Sequence, residues 1–228
     1  MNIFPKAIFS YVRPIISAVL VIFALSIAVS SYAEPERYDF PKATPVNLVQ
    51  PLMPAIPDFS AEEMEALRKA YRENEMIRES IAAFLRRHNR GLSYEQVNKY
   101  AVLIKEACER FEQDPFVITA LVIAESTGRR HVVSRGGDYG LMQVRWRVHQ
   151  SRIRHRFPHI TEGRGLLDPK YNLLIGTEIF TVYRAAMNQD IRRTLVRYSG
   201  GSTRHADRVL RLAAQLEKFH QERLNNSI

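Results

Sequence analysis

The chain has 228 residues, of which 46% are hydrophobic and 25% charged, with 33 Lys and Arg against 24 Asp and Glu for a net charge of +9. That length supports one well-buried domain with an extension and excludes two ordinary domains. The single cysteine, Cys108, excludes an intrachain disulfide framework, and its setting in an amphipathic segment reads as a small core residue.

The chain starts with Lys6 and Arg13, an uncharged apolar run from Ile15 to Val29, and then Ser31-Tyr32-Ala33 before Glu34. Small residues at the third and first positions before an acidic start match a signal-peptidase site, so residues 1–33 read as a leader. The run is also long enough for an uncleaved membrane anchor, and in either case the remainder is expected outside the cytoplasm, in the periplasm or held at the inner membrane. Loss of residues 1–33 leaves 31 of the 33 basic residues and all 24 acids, a net charge of +7 that suits a polyanionic partner.

Residues 34–59 carry six prolines without sustained periodicity and read as an extended linker. Ser60 and Glu63 form a capping pair for a first helix, with apolar positions at Met64, Leu67, Tyr71, Ile77, Ile81 and Phe84; this unit, 60–92, is expected to pack on the domain that follows, 93–228. Ser93 and Gln96 repeat the capping logic for a second helix through Glu112, burying Val97, Tyr100, Ala101, Ile104 and Cys108. Asp114-Pro115 opens a third, and Phe116–Ala124 is apolar nearly all round, the mark of a helix inside the core. A short hairpin is expected between Arg130 and Tyr139. Asp168-Pro169 starts a helix through Met187, Asp190 caps one that stops at Tyr198-Ser199-Gly200-Gly201, and the last runs from Thr203 to about Arg223. The fold class is therefore all-α.

Glu125 leaves the last turn of the buried helix, where apolar surroundings and the carbonyl end of the helix dipole both favour a protonated acid over a carboxylate. A protonated carboxyl is what proton donation to a leaving sugar oxygen requires. Ser134 follows it by nine residues, and Gly140-Leu141-Met142-Gln143 ends eighteen residues after it, with Tyr198-Ser199-Gly200-Gly201 further on. Taken together over Ser93–Val209, these spacings resemble the soluble SLT-type lytic transglycosylases, whose fold is related to goose-type lysozyme. Three positions depart from that family's pattern: Asp138 stands where a small residue is usual, Ser199 replaces an asparagine, and Arg145-Trp146 follow the Leu-Met-Gln.

The resemblance implies a lysozyme-like multi-helix domain that needs no cofactor or metal and acts on the MurNAc-GlcNAc bond of peptidoglycan strands. Glu125 would be the acid and then the base. Ser134 would hold the glutamate or a sugar substituent, and Tyr198 would stand beside the catalytic carboxyl. Ser126, Leu141, Met142, Gln143 and Ser199 would form the binding surface. Two alternatives stay open: a hydrolytic muramidase that uses Asp138 as a second carboxylate, and a wall-binding or envelope-assembly protein without turnover. Arginines and histidines between Arg129 and Arg164, interleaved with Trp146 and Phe157, could also track single-stranded nucleic acid, but an exported chain meets glycans instead. His149, His155 and His159 lack a shared helix face because Pro158 interrupts it, which argues against a metal site.

Overall fold

The computed structural model describes residues 59–226; the expected leader, and all of the linker but its last residue, lie outside them. Among the described residues no helix is long and apolar enough to cross a membrane.

Each helix begins where a side chain can take up the free N–H groups of its first turn. In α1 (Ala61–His88) the Ser60 hydroxyl accepts from Glu63 N and the Glu63 carboxylate accepts from Ser60 N; Ser93 and Gln96 repeat this reciprocal pair at α2 (Tyr94–Phe111). Burial of α1 begins only at Ser80, and Tyr71, expected on its apolar stripe, is 66% exposed. The core helix α3 (Pro115–Ser126) is capped by Asp114, carries proline at its first position, and buries every residue from Val117 to Ile123. It stops because Thr127 (φ 55°) and Gly128 (φ 72°) both turn left-handed. Those two residues leave Glu125 in the final turn.

Strands β1 (Asp138–Tyr139) and β2 (Val144–Arg145) pair antiparallel, with Asp138 opposite Arg145 and Tyr139 opposite Val144. The hairpin expected between Arg130 and Tyr139 exists only as an isolated bridge, Val133 to Tyr139, and the paired strands lie further on. The reason is a second reversal at Gly140–Gln143, where Gly140 (φ 77°) and Gln143 (φ 48°) are both left-handed. Helix α4 (Trp146–Arg156) has no counterpart in the sequence reading, since it buries only Ile153, lacks a side-chain cap and so shows no apolar stripe. A 3₁₀ turn at Gly163–Leu167 leads to α5 (Pro169–Ala186), α6 (Ile191–Tyr198) and α7 (Thr203–Asn225), capped by Asp168, Asp190 and Ser202.

Helix α3 packs chiefly along α7, α2 lies between α1 and α5, and α6 bridges α5 and α7. One buried core runs through these contacts, from Ile81, Phe84 and Leu85 on α1 through Ile118, Leu121 and Val122 on α3 to Val209 and Leu216 on α7. Each such side chain contributes about 1.5–3 kcal/mol on burial. A polar contact crosses the core as well: Ser80 Oγ and His220 Nδ1 are 3.0 Å apart and buried, with the imidazole 5.3 Å from the Phe116 ring.

The Gly140–Met142 turn is fastened to α5 by one side chain. Asn172, fully buried, donates to Tyr139 O (2.7 Å) and Leu166 O (2.8 Å) and accepts from Met142 N (2.7 Å). A Cβ on Gly140 would collide with this amide, and a Cβ on Gly176, one turn along α5, would lie 2.5 Å from Met142 Sδ. The close approach therefore needs glycine on both sides and an amide between.

Asn172→Ala strands one buried N–H and two carbonyls, each worth roughly 1–3 kcal/mol when unpaired. Urea unfolding should show a loss of about 3 kcal/mol or more; a loss below about 1 kcal/mol would mean that the turn is held by other contacts. A second expectation concerns pH. Burial, and then the charge of Arg223, lower the proton affinity of His220, while a backbone hydrogen bond with Met76 works weakly the other way. Burial, with Arg152 and Arg145, does the same to His149. The unfolded chain then binds protons that the folded one refuses, so stability is complete above about pH 6.5 and declines as pH falls below it. Melting temperature should drop between about pH 7 and 5, and His220→Gln should flatten part of that slope, leaving the share due to His149.

Candidate active site

A cleft of about 480 Å³ opens between the end of α3, the hairpin, α4 and the loop joining α6 to α7. Glu125 forms part of its wall with a side chain 17% exposed. The end of α3 behind it is tightly tied. Thr127 N donates to Ile123 O, Arg129 N and Nε donate to Ser126 O, and Asn89 on the α1 side donates to Thr127 O at 2.9 Å. Arg208 Nη1 reaches Ala124 O at 3.5 Å, so two guanidinium groups face the carbonyl end of this helix, where cations are favoured.

On the hairpin side, Ser134 and Asp138 form one unit. Ser134 Oγ donates to Asp138 Oδ2 (2.8 Å) and accepts from Gly136 N and Asp138 N, so its hydroxyl proton is engaged with Asp138 rather than with Glu125. Arg145, opposite Asp138 across the strands, donates through Nε to Oδ1 at 2.6 Å and through Nη2 to Oδ2 at 3.1 Å. Burial pushes the Asp138 carboxyl up, but the hydrogen bonds from Arg145 and Ser134 and the Arg145 charge outweigh it and hold the group below the usual carboxylate range. Gln143 donates both amide hydrogens inward, to Val132 O (3.1 Å) and Gly140 O (2.9 Å). These bonds stabilise its left-handed backbone and leave its amide oxygen as the group offered to the cleft.

Across the cleft, Tyr198 donates to Met142 O at 3.0 Å. Burial first, and then the charges of Glu125, Tyr183 and Asp138, push its phenol well above the usual range, so it stays neutral. Ser199 caps α6 with its hydroxyl within reach of Val196 O and Ser202 O, and it lines the cleft beside Gly200. Glu125, Ser134, Gln143, Tyr198 and Ser199 thus meet at one surface.

Three residues expected in the binding surface do not reach it. Ser126 is 1% exposed and donates to Leu141 O (2.8 Å) and Val122 O (3.1 Å), joining the end of α3 to the turn. Leu141 and Met142 are fully buried, because the turn they occupy is pressed onto α5 by Asn172 and Gly176. They carry the wall from behind.

The sequence reading missed His205, in the first turn of α7, whose Nε2 stands 3.1 Å from Glu125 Oε1. Eighty positions separate the two, and the only local cue is the Ser202 cap that starts the helix. Asn172 was missed as well, although a buried asparagine four residues before a helical glycine is an unusual pairing on an apolar face. His149, Tyr183 and Arg197 complete the far wall, with the Arg197 guanidinium 4.9 Å from the Tyr183 ring.

The sequence model of the Transglycosylase SLT domain matches residues 102–220, which is just over half of the chain and spans every side chain of the cleft. No curated protein matches the chain. An all-α domain with a two-stranded hairpin, and a cleft built around Glu125 within the matched range, agree with that match: the chain belongs to the transglycosylase SLT domain family, whose activity is lytic transglycosylation of peptidoglycan.

Proposed function

We propose that this protein cleaves the β-1,4 bond between MurNAc and GlcNAc in peptidoglycan without adding water, leaving 1,6-anhydro-MurNAc ends. The observation that carries this reading is the unequal state of the two carboxyl groups in the cleft. Both oxygens of Asp138 accept hydrogen bonds from Arg145 and Ser134, whereas among the described residues Glu125 forms no ion pair with Lys or Arg and has the His205 imidazole beside it. A base that activates water needs a free lone pair directed at that water, and Asp138 already accepts three hydrogen bonds, two of them from the Arg145 guanidinium that holds it ionised.

In this scheme Glu125 gives its proton to the glycosidic oxygen, and the C1–O4 bond breaks as the N-acetyl group of MurNAc supports the cation. Its carboxylate then takes the proton of the C6 hydroxyl while O6 bonds to C1, and the carboxyl returns to its starting form with no water consumed. Tyr198, held neutral, and the Gln143 amide oxygen supply fixed polar groups beside the sugar. The substrate lies outside the cytoplasm, and the leader-like residues 1–33 fit an exported, periplasmic enzyme.

Glu125→Gln should fold and bind glycan but lose turnover by about 100-fold or more, measured as release of soluble fragments from purified sacculi. Release at near wild-type rate would assign the acid to another residue. Mass analysis of the products should show predominantly anhydro ends, and Asp138→Asn should keep activity within about threefold, because its carboxylate takes no part in proton transfer. Reducing MurNAc ends, with Asp138→Asn down roughly 100-fold, would instead establish hydrolysis.

A further inference from the structure

We propose that His205 is the positioning residue for Glu125: its imidazole, as the Nε2–H tautomer, donates to Oε1 and keeps the acid proton on Oε2, the oxygen left for the sugar. The inference rests on Glu125 being the acid, as argued above. Nε2 is 3.1 Å from Oε1, and the two side chains are only 19% and 17% exposed. The approach is off the N–H axis, so among the described residues Nε2 is a buried nitrogen without an aligned hydrogen-bond partner. Such a group is costly unless a partner is within reach, and Glu125 Oε1 is. The other carboxylate of the cleft already accepts three hydrogen bonds, from Arg145 and Ser134.

The backbone around the imidazole is fixed. Ser202 Oγ accepts from His205 N at 3.2 Å, and Arg208, three residues on, reaches Ala124 O beside Glu125. The first turn of α7 is thus joined to the last turn of α3, which holds the imidazole Nε2 3.1 Å from Glu125 Oε1. Catalytic hydrogen bonds that are poorly aligned in the free enzyme commonly tighten when substrate binds.

The chemical reason for such a donor is that a carboxyl group has two oxygens and a single proton. A proton resting on Oε1 would point away from the glycosidic oxygen, while a donor at Oε1 makes Oε2 the protonated atom. After the proton has left, the same N–H stabilises the carboxylate until the C6 hydroxyl returns a proton. His205 itself exchanges no proton, so no co-reactant is required.

The test compares His205→Leu, which keeps the bulk and removes the donor, with His205→Gln, which restores an N–H at similar reach. With thermal unfolding recorded for each, His205→Leu should lower kcat roughly 10- to 100-fold with KM within about twofold, and His205→Gln should recover to within about threefold of wild type. In the Glu125→Gln background His205→Leu should cause no further loss, since both changes remove one function. The imidazole ¹⁵N spectrum of the full chain should show the Nε2–H tautomer for His205 and should shift in Glu125→Gln. Near wild-type kcat in His205→Leu, no recovery in an equally stable His205→Gln, or an Nδ1–H tautomer insensitive to Glu125→Gln would each overturn the assignment. If the wild type releases nothing from sacculi, the lytic reading fails by itself, and the ¹⁵N spectrum still decides the contact.

Discussion

The cleft depends on how one buried amide holds a backbone turn. Asn172 ties Tyr139 O, Leu166 O and Met142 N to a single side chain on α5, and the glycines at 140 and 176 remove the Cβ atoms that would keep the two segments apart. From that junction the rest follows. Leu141 O is placed where Ser126 can reach it, Met142 O where Tyr198 can reach it, and Gly140 O where Gln143 can reach it. Two segments far apart in the chain, the end of α3 and the end of α6, converge on the backbone carbonyls of one four-residue turn, which Gln143 braces from within. Backbone carbonyls do not titrate and have no rotamers, so they give side chains in a wet cleft a rigid reference.

The electrostatics of the cleft are built on unequal pairing. Asp138 is surrounded by donors and held as a carboxylate, and its charge is answered by Arg145 across the strand pair. Together with Ser134 it closes the 134–138 turn, and with Arg145 it links the paired strands. Glu125 sits at the opposite wall, close to an imidazole and a neutral phenol. A cation paired directly with Glu125 would favour the carboxylate and work against the proton donation proposed for it. The arginines near α3, Arg129 and Arg208, are instead spent on backbone carbonyls at the helix end.

This arrangement separates groups that face the cleft from groups that support it, and residues adjacent in sequence fall on different sides. Glu125 faces the cleft and Ser126 is buried; Gln143 faces it and Met142 is buried. A helix end explains the first alternation, because neighbouring residues there point about 100° apart. The left-handed backbone at Gln143 explains the second, since it reverses the chain immediately after a residue that must point into α5.

What the sequence determined by itself was everything set by local rules. Caps at Ser60, Ser93, Asp114, Asp168 and Asp190, with their apolar periodicity, were enough to locate five of the helices, and the Gly200-Gly201 stop set off a sixth, because a helix start needs only partners two or three residues away. The all-apolar α3 announced its burial, and Glu125 at its end lines the cleft. Helix α4 was not legible, since a single buried residue leaves no periodic pattern, and the hairpin was misplaced because two glycine-containing turns compete within ten residues. Only the tertiary structure decided that Ser126, Leu141 and Met142 lie behind the cleft, that Ser134 serves Asp138, and that His205 meets Glu125. These are contacts between segments whose sequence separation carries no local signal, and their geometry is set by the packing of α7 along α3 and of the hairpin loop on α5.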